Sequence, residues 1–101
     1  MMQDITCLEL KERIDKNEKL NIIDVREPYE YDAFNIGAKL IPLGTLPMSL
    51  HELESLKNEE IIVHCRSGAR SANAKLFLMN NGFTNVRNLL GGMLEWQSRF
   101  E

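Results

Sequence analysis

Cys65 is the residue of this chain whose setting most favours covalent chemistry. It follows the predicted buried strand Ile61–His64 and opens a loop of small and basic residues, CRSGARS at positions 65–71. The ionised thiolate, rather than the neutral thiol, is the form of cysteine that attacks electrophiles. The reactivity of Cys65 therefore depends on whether this loop lowers the pKa of its thiol.

Three features of the loop are expected to lower that pKa. A helix is predicted to begin directly after the loop, and a helix N-terminus carries about half a positive charge. The small residues let successive backbone N–H groups turn inward as an anion-binding nest, and two arginines add full positive charges. Such surroundings bring cysteine pKa values from about 8.5 to between about 3.5 and 7.5. The residues predicted to bind an anionic substrate beside the nucleophile are Arg66, Ser67, Gly68, Ala69 and Arg70.

The alternative for Cys65 is a structural role, because unreactive cysteines are commonly buried as small apolar residues. A purely structural cysteine, however, requires neither flanking arginines nor a glycine-bearing loop. The second cysteine, Cys7, lies near the start of a predicted amphipathic helix and has no basic neighbours. Cys7 is therefore predicted to be ordinary packing or surface.

Two charged residues are predicted to support the site. Asp24 and Arg26 end an earlier apolar run, so they are expected at the same rim of a sheet as Cys65. They could orient the loop or Arg70 through an ion pair. Alternatively they hold the fold, either by binding each other or by pairing Arg26 with Glu30.

His64 directly precedes the nucleophile but is not predicted to act on it. Adjacent residues of a strand point to opposite faces, so a packed, hydrogen-bonded histidine is expected instead of a base for Cys65. The histidines and cysteines do not have metal-ligand spacing. Neither a metal nor a cofactor is expected.

Short apolar runs alternate with helical patterns along the whole chain. This alternation predicts an α/β domain spanning residues 1–101, with a mostly parallel central sheet and helices on both faces. The strands are predicted at about residues 20–25, 39–43, 61–64 and 85–90. Helices are predicted at about 7–17, at 28–35, after Ser49, from the cysteine loop to Asn81, and at 93–100. The first is predicted to begin at a capping box of Thr6 and Glu9, and the third at a second capping box of Ser49 and Glu52.

One helix also has a predicted apolar face. After the cysteine loop, apolar residues recur at the spacing of one helix side, 3, 4, 3 and 4 positions apart. These residues are Ala69, Ala72, Leu76, Met79 and Phe83.

Composition excludes several classes of function. The chain has 101 residues and a net charge of −3, without a basic run, which argues against nucleic-acid binding. Its apolar runs are far shorter than the roughly 20 residues that span a bilayer. The N-terminal residues do not have the pattern of a signal peptide. We therefore expect a cytoplasmic protein that binds neither nucleic acid nor membrane.

Three segments resemble the rhodanese superfamily. The loop CRSGARS preceded by IIVH is similar to the active-site loop of that family. The stretch IIDVREPYEY at 22–31 and the stretch IGAKLIPLG at 36–44 are similar to its first conserved segment, although the histidine found there in many members is absent. NLLGGMLEW at 88–96 is similar to its C-terminal segment. The resemblance covers nearly the whole chain in the family's order.

This resemblance implies a sulfurtransferase that works by double displacement. Cys65 would attack the outer sulfur of a small anionic donor such as thiosulfate and keep that sulfur as a persulfide. A second nucleophile would then remove it: cyanide in an assay, or a cellular thiol such as that of a thioredoxin-like or another protein. No cofactor is implied.

Two alternatives of other classes stay open. The chain could be a sulfur-carrier or anion-binding regulatory module that does not turn over. It could also be a cysteine phosphatase or arsenate reductase, which share the fold by resemblance. Four residues separate Cys65 from Arg70, whereas the phosphatase loop is one residue longer. By this resemblance, the tighter ring suits a sulfur atom better than a phosphoryl group.

Overall fold

The structure is a computed structural model that describes residues 3–101. Helices and strands alternate along it in the predicted order. The elements are α1 (Cys7–Asp15), β1 (Ile22–Asp24), α2 (Pro28–Ala33), β2 (Lys39–Leu40), a 3-10 helix (Leu43–Leu56), β3 (Ile61–His64), α3 (Ala69–Asn80), β4 (Val86–Asn88) and α4 (Gly92–Phe100). The strands are shorter than the predicted apolar runs, except β3, which has the predicted bounds.

The four strands form one parallel sheet in the order β2-β1-β3-β4, which confirms the predicted fold class. In the register of this sheet, Asp24 pairs with His64, and Val63 pairs with Asn88. The carboxyl ends of β1, β3 and β4 therefore meet at one edge. Cys65 leaves the sheet at that edge.

Helices cover both faces of the sheet, as predicted. Along β3, Ile61 and Val63 belong to an apolar cluster that includes residues of α3 and the 3-10 helix. Ile62, which points the other way, belongs to a second cluster with residues of α1 and α4. A strand buried on both faces needs apolar residues at every position, which accounts for the unbroken run that precedes His64. None of the helices over residues 3–101 is both long and apolar enough to cross a membrane.

The predicted apolar face of α3 is right only at its C-terminal end, where Met79 packs against the core and Phe83 is buried. The residues that α3 buries are Ser71, Ala74 and Leu78, whereas Leu76 of the predicted face is 59% exposed. The helix is rotated because its first turn carries Ser71 inward, toward Cys65. A polar residue thus occupies a buried position that the apolar pattern could not indicate.

The second capping box is also wrong. The Ser49 hydroxyl donates to the carbonyl of Thr45, because the 3-10 helix begins six residues earlier, at Leu43, and already contains Ser49. Leucines of this 3-10 helix nevertheless contribute to the core. Leu53 is buried, and Leu50 and Leu56 pack against the same cluster. The first box is formed in part, since the Thr6 hydroxyl accepts from the amide of Glu9.

Candidate active site

The sulfur of Cys65 lies in a ring of hydrogen-bond donors at the carboxyl end of β3. The amide of Gly68 donates to Sγ at 3.1 Å, and the amide of Ser71 lies 3.4 Å away. The Ser71 hydroxyl oxygen is 3.3 Å from the same sulfur. Only 1% of Cys65 is exposed, so its surroundings are these donors rather than bulk water.

The loop amides turn inward because its carbonyls are held outward by other elements. At the start of α4, the amides of Met93 and Leu94 donate to the carbonyls of Cys65 and Arg66 at 3.0 and 2.9 Å. The side-chain amide of Asn88 donates to the carbonyl of Gly68 at 3.1 Å. In a trans peptide group, the C=O of one residue and the N–H of the next point in opposite directions. A carbonyl that points away from the sulfur therefore places the following N–H toward it. The predicted nest is therefore present in this geometry.

Two glycines make this arrangement sterically possible. Gly68 has a φ of +112° just before α3, a conformation that favours glycine. At Gly92 a β-carbon would lie 2.6 Å from the carbonyl oxygens of both Cys65 and Arg66. The start of α4 can approach the loop this closely only because residue 92 has no side chain.

The surroundings of Cys65 shift its ionisation toward the thiolate. Burial raises the pKa of the Cys65 thiol, but the Ser71 hydroxyl and the amides of Ser71, Gly68 and Ser67 together outweigh it and bring the pKa below the ordinary value for cysteine. This direction agrees with the prediction, although the main causes are hydrogen bonds and not the two arginines.

Ser71 and Asn88 are the site residues that sequence reasoning missed. Ser71 is fully buried and its hydroxyl also reaches Asn88 Oδ1 at 2.5 Å, while Asn88 is 5% exposed. Ser71 is the last residue of the CRSGARS motif but was not among the predicted site residues. The signal available for Asn88 was its place at the end of β4, next to the strand that ends at the nucleophile.

The two loop arginines occupy different settings. Arg66 is exposed, and its guanidinium makes neither a hydrogen bond nor an ion pair to any residue in the described range 3–101. Arg70 instead forms a two-pronged ion pair with Glu30 of α2, at 2.7 and 2.8 Å. Hydrogen bonding to Arg70 lowers the pKa of Glu30 to about 2. The side chains of Ser67 and Ala69 are exposed at the mouth of the loop.

Asp24 and Arg26 bind each other, as the fold-holding interpretation predicts. The Arg26 guanidinium donates to the Asp24 carboxylate at 2.7–3.1 Å and to the carbonyl of Phe34 at 2.7 Å. Both residues are buried. Their pair does not include Arg70, whose partner is Glu30.

His64 is packed as predicted, but the predicted hydrogen bond is absent. Neither ring nitrogen hydrogen-bonds to any residue in the range 3–101, and Asp24 Oδ2 lies 3.8 Å from Nε2. Burial lowers the pKa of His64 to about 4, so the ring is neutral near pH 7.

Cys7 provides the expected contrast with Cys65. It is buried, and its sulfur lies 3.6 and 3.8 Å from the carbonyls of Leu90 and Gly92. Burial and then the negative charge of Glu95 raise the pKa of the Cys7 thiol. Among residues 3–101, no group of three or more histidine, cysteine or acidic side chains is placed to bind a metal ion.

Comparison with known families agrees with this architecture. Residues 6–99 match the sequence profile described as the Rhodanese-like domain. The chain belongs to the rhodanese-like domain family. The crystal structure of a rhodanese-like domain protein from Staphylococcus aureus superimposes with a TM-score of 0.84 at 36% identity, covering 94% of this chain and 91% of that one.

Two curated relatives differ in how much of their length this rhodanese-like chain spans. A protein from Allochromatium vinosum named sulfurtransferase is 33% identical over 95% of this chain and 89% of its own length. YrkF of Bacillus subtilis, provisionally named a sulfur carrier protein, is 38% identical over 97% of this chain. That match spans 52% of YrkF, so the chain corresponds to about half of that relative.

Proposed function

We propose that this protein is a sulfurtransferase that carries a sulfane sulfur as a persulfide on Cys65. The observation that carries the proposal is the ring of amide and hydroxyl donors around Cys65 Sγ. It favours a thiolate, and it suits the negative sulfur of a persulfide equally well. The relatives named sulfurtransferase and sulfur carrier support the same role.

The proposed reaction has two displacements. The Cys65 thiolate attacks the outer sulfur of thiosulfate, the S–S bond of the donor breaks, and sulfite leaves with the electron pair. The persulfide of Cys65 then gives its outer sulfur to cyanide or to a cellular thiol, which regenerates the thiolate. Charge is conserved in the first step, since a thiolate and a dianion yield a persulfide anion and sulfite. Arg66 and loop residues Ser67–Arg70 bind the donor in this proposal.

The near-complete cover of Cys65 supports transfer of one atom rather than of a phosphoryl group. With 1% of the residue exposed, a single sulfur atom can reach Sγ more easily than a tetrahedral phosphate can. The short Cys-to-Arg loop agrees with this preference. Hydrolysis of an aryl phosphate that depended on Cys65 would instead support phosphatase chemistry.

The direct test is thiocyanate formation from thiosulfate and cyanide. We expect turnover by the parent protein and none by Cys65→Ser. Cys7→Ser is the matched control, because Cys7 is buried away from the donor ring and should be dispensable for turnover. Equal activity in parent and Cys65→Ser would refute the proposal.

The provisional name of YrkF favours one second candidate, a sulfur carrier that serves a dedicated partner. A carrier would take up sulfur from thiosulfate on Cys65 but would release it poorly to cyanide. Comparing the first loading of Cys65 with steady-state turnover separates the two roles. Fast loading with negligible turnover would indicate the carrier.

A further inference from the structure

The charge of Arg70 is cancelled by a carboxylate of another element. Both Nη atoms of Arg70 bind Glu30, at 2.7 and 2.8 Å, and the Glu30 side chain is only 12% exposed. A partly buried, two-pronged pair of this kind holds its two charges together more firmly than an exposed pair does. The loop contains two arginines, yet it presents the net charge of one.

The remaining cation, Arg66, borders a cavity of about 270 Å³ beside the loop. The other charged residues of its lining are Arg26 and Glu30. Arg26 is neutralised by Asp24, and Glu30 is neutralised by Arg70. The rest of the lining is mostly apolar or aromatic: Tyr29, Ala33, Phe34, Met93, Leu94 and Gln97. A donor that binds beside Arg66 therefore meets an apolar wall and a positive charge that has no ion-pair partner among residues 3–101.

We propose that Glu30 is a specificity-determining residue that makes the site select sulfane donors with a single negative charge over the dianion thiosulfate. The inference rests on the proposed sulfur transfer and names the donor class of that same site. One exposed guanidinium can balance one negative charge, whereas the second charge of thiosulfate lacks a free counterpart because Glu30 holds Arg70. The cavity gives the uncharged remainder of an organic donor a place to bind.

Benzenethiosulfonate is a donor that carries one negative charge fewer than thiosulfate but reacts by the same displacement. It has the sulfane sulfur of thiosulfate, with one charged oxygen replaced by a phenyl group. The Cys65 thiolate attacks that sulfur, the S–S bond breaks, and benzenesulfinate leaves with the electron pair. Two anions react and two anions, the persulfide and the sulfinate, are produced. In a double displacement kcat/KM for the donor is independent of the acceptor, so cyanide serves for both donors.

The test compares kcat/KM for the two donors in the parent protein and in Glu30→Gln. The glutamine can still hydrogen-bond Arg70, but it leaves the arginine charge uncompensated. We expect the ratio of kcat/KM for thiosulfate to kcat/KM for benzenethiosulfonate to rise about tenfold. Glu30→Gln adds one net positive charge beside the loop, and this charge attracts the dianion more strongly than the monoanion. Glu30→Asp should keep the parent ratio, since it keeps the carboxylate.

Two further variants separate charge selectivity from a structural role. Asp32→Asn removes a negative charge from an exposed position of the same helix and should leave the ratio unchanged. Arg70→Gln should lower the ratio by leaving Glu30 unpaired, and adding Glu30→Gln to it should bring the ratio back. A structural role would lower kcat/KM for both donors equally and leave the ratio fixed, which would overturn the inference. Absence of turnover with both donors in the parent would instead overturn the proposed function.

Discussion

Replacing Ser71 with alanine tests how the site holds its sulfur anionic. The Ser71 hydroxyl lies 3.3 Å from Cys65 Sγ and is the foremost cause that lowers the pKa of Cys65 against the effect of burial. The alanine variant removes that donor and leaves the amides in place. We therefore expect the pKa of Cys65 to rise.

The size of this rise follows from the hydrogen bonds of Ser71. A hydrogen bond to a charged group contributes about 1.5–3 kcal/mol, and one pKa unit corresponds to about 1.4 kcal/mol. The hydroxyl has one proton, however, and Asn88 Oδ1 at 2.5 Å competes with the sulfur for it. The lower end of the range therefore applies, and the expected rise in the pKa of Cys65 is about one unit.

The assay is the rate of Cys65 alkylation by iodoacetamide as a function of pH, with Cys7→Ser as the common background. Ser67→Ala is the matched control, because that hydroxyl belongs to the same loop but does not hydrogen-bond to any side chain or backbone group in the range 3–101. Thermal melting verifies that Ser71→Ala is folded at the assay temperature. An unchanged pKa in folded Ser71→Ala, or an equal rise in Ser67→Ala, would refute this account of the donor ring.

Two other substitutions test the elements that support the ring. Gly92→Ala should lower the unfolding free energy by more than about 2 kcal/mol and abolish sulfur transfer, because its β-carbon would lie 2.6 Å from two loop carbonyl oxygens. Gly44→Ala is the control, since its β-carbon would meet nothing within 4 Å. Urea titrations and turnover assays should show both effects for Gly92→Ala and neither for Gly44→Ala. His64→Leu should make the stability of the fold less sensitive to acid. In the parent, the pKa of His64 is about 4 in the folded state and about 6.5 in the unfolded state, so the unfolded state binds a proton first as pH falls. The parent therefore loses about 3 kcal/mol of unfolding free energy between about pH 6.5 and about pH 4. Urea midpoints across that range that fall equally in parent and variant would contradict this role of His64.

The sequence predicted the sheet because each buried strand gave a strong local signal. The run Ile61–Val63 is apolar at every position, which indicates a strand covered on both faces, and β3 has the predicted bounds. The helix after Cys65 was predicted as an element but not in its orientation. Its rotation depends on the inward contact of Ser71 with Cys65 and Asn88, and a contact between separate segments leaves no mark on helical periodicity.

The candidate site, like the fold, could be predicted only where its residues are contiguous in sequence. The nucleophile and its loop could be identified because they are contiguous in sequence, and the inward amides follow from small residues before a helix. The partner of Arg70 could not be predicted, since Glu30 lies 40 residues earlier and acidic residues near it look equivalent in sequence. For the same reason the role of Asn88 required the register between β3 and β4.

Mass analysis of the protein after incubation with thiosulfate tests most directly whether sulfur is carried on Cys65. The account predicts an adduct about 32 Da heavier, one sulfur atom, located by peptide mapping on Cys65 and removed by cyanide, with none in Cys65→Ser. Failure to form the adduct, or its appearance on Cys7 instead, would contradict the account.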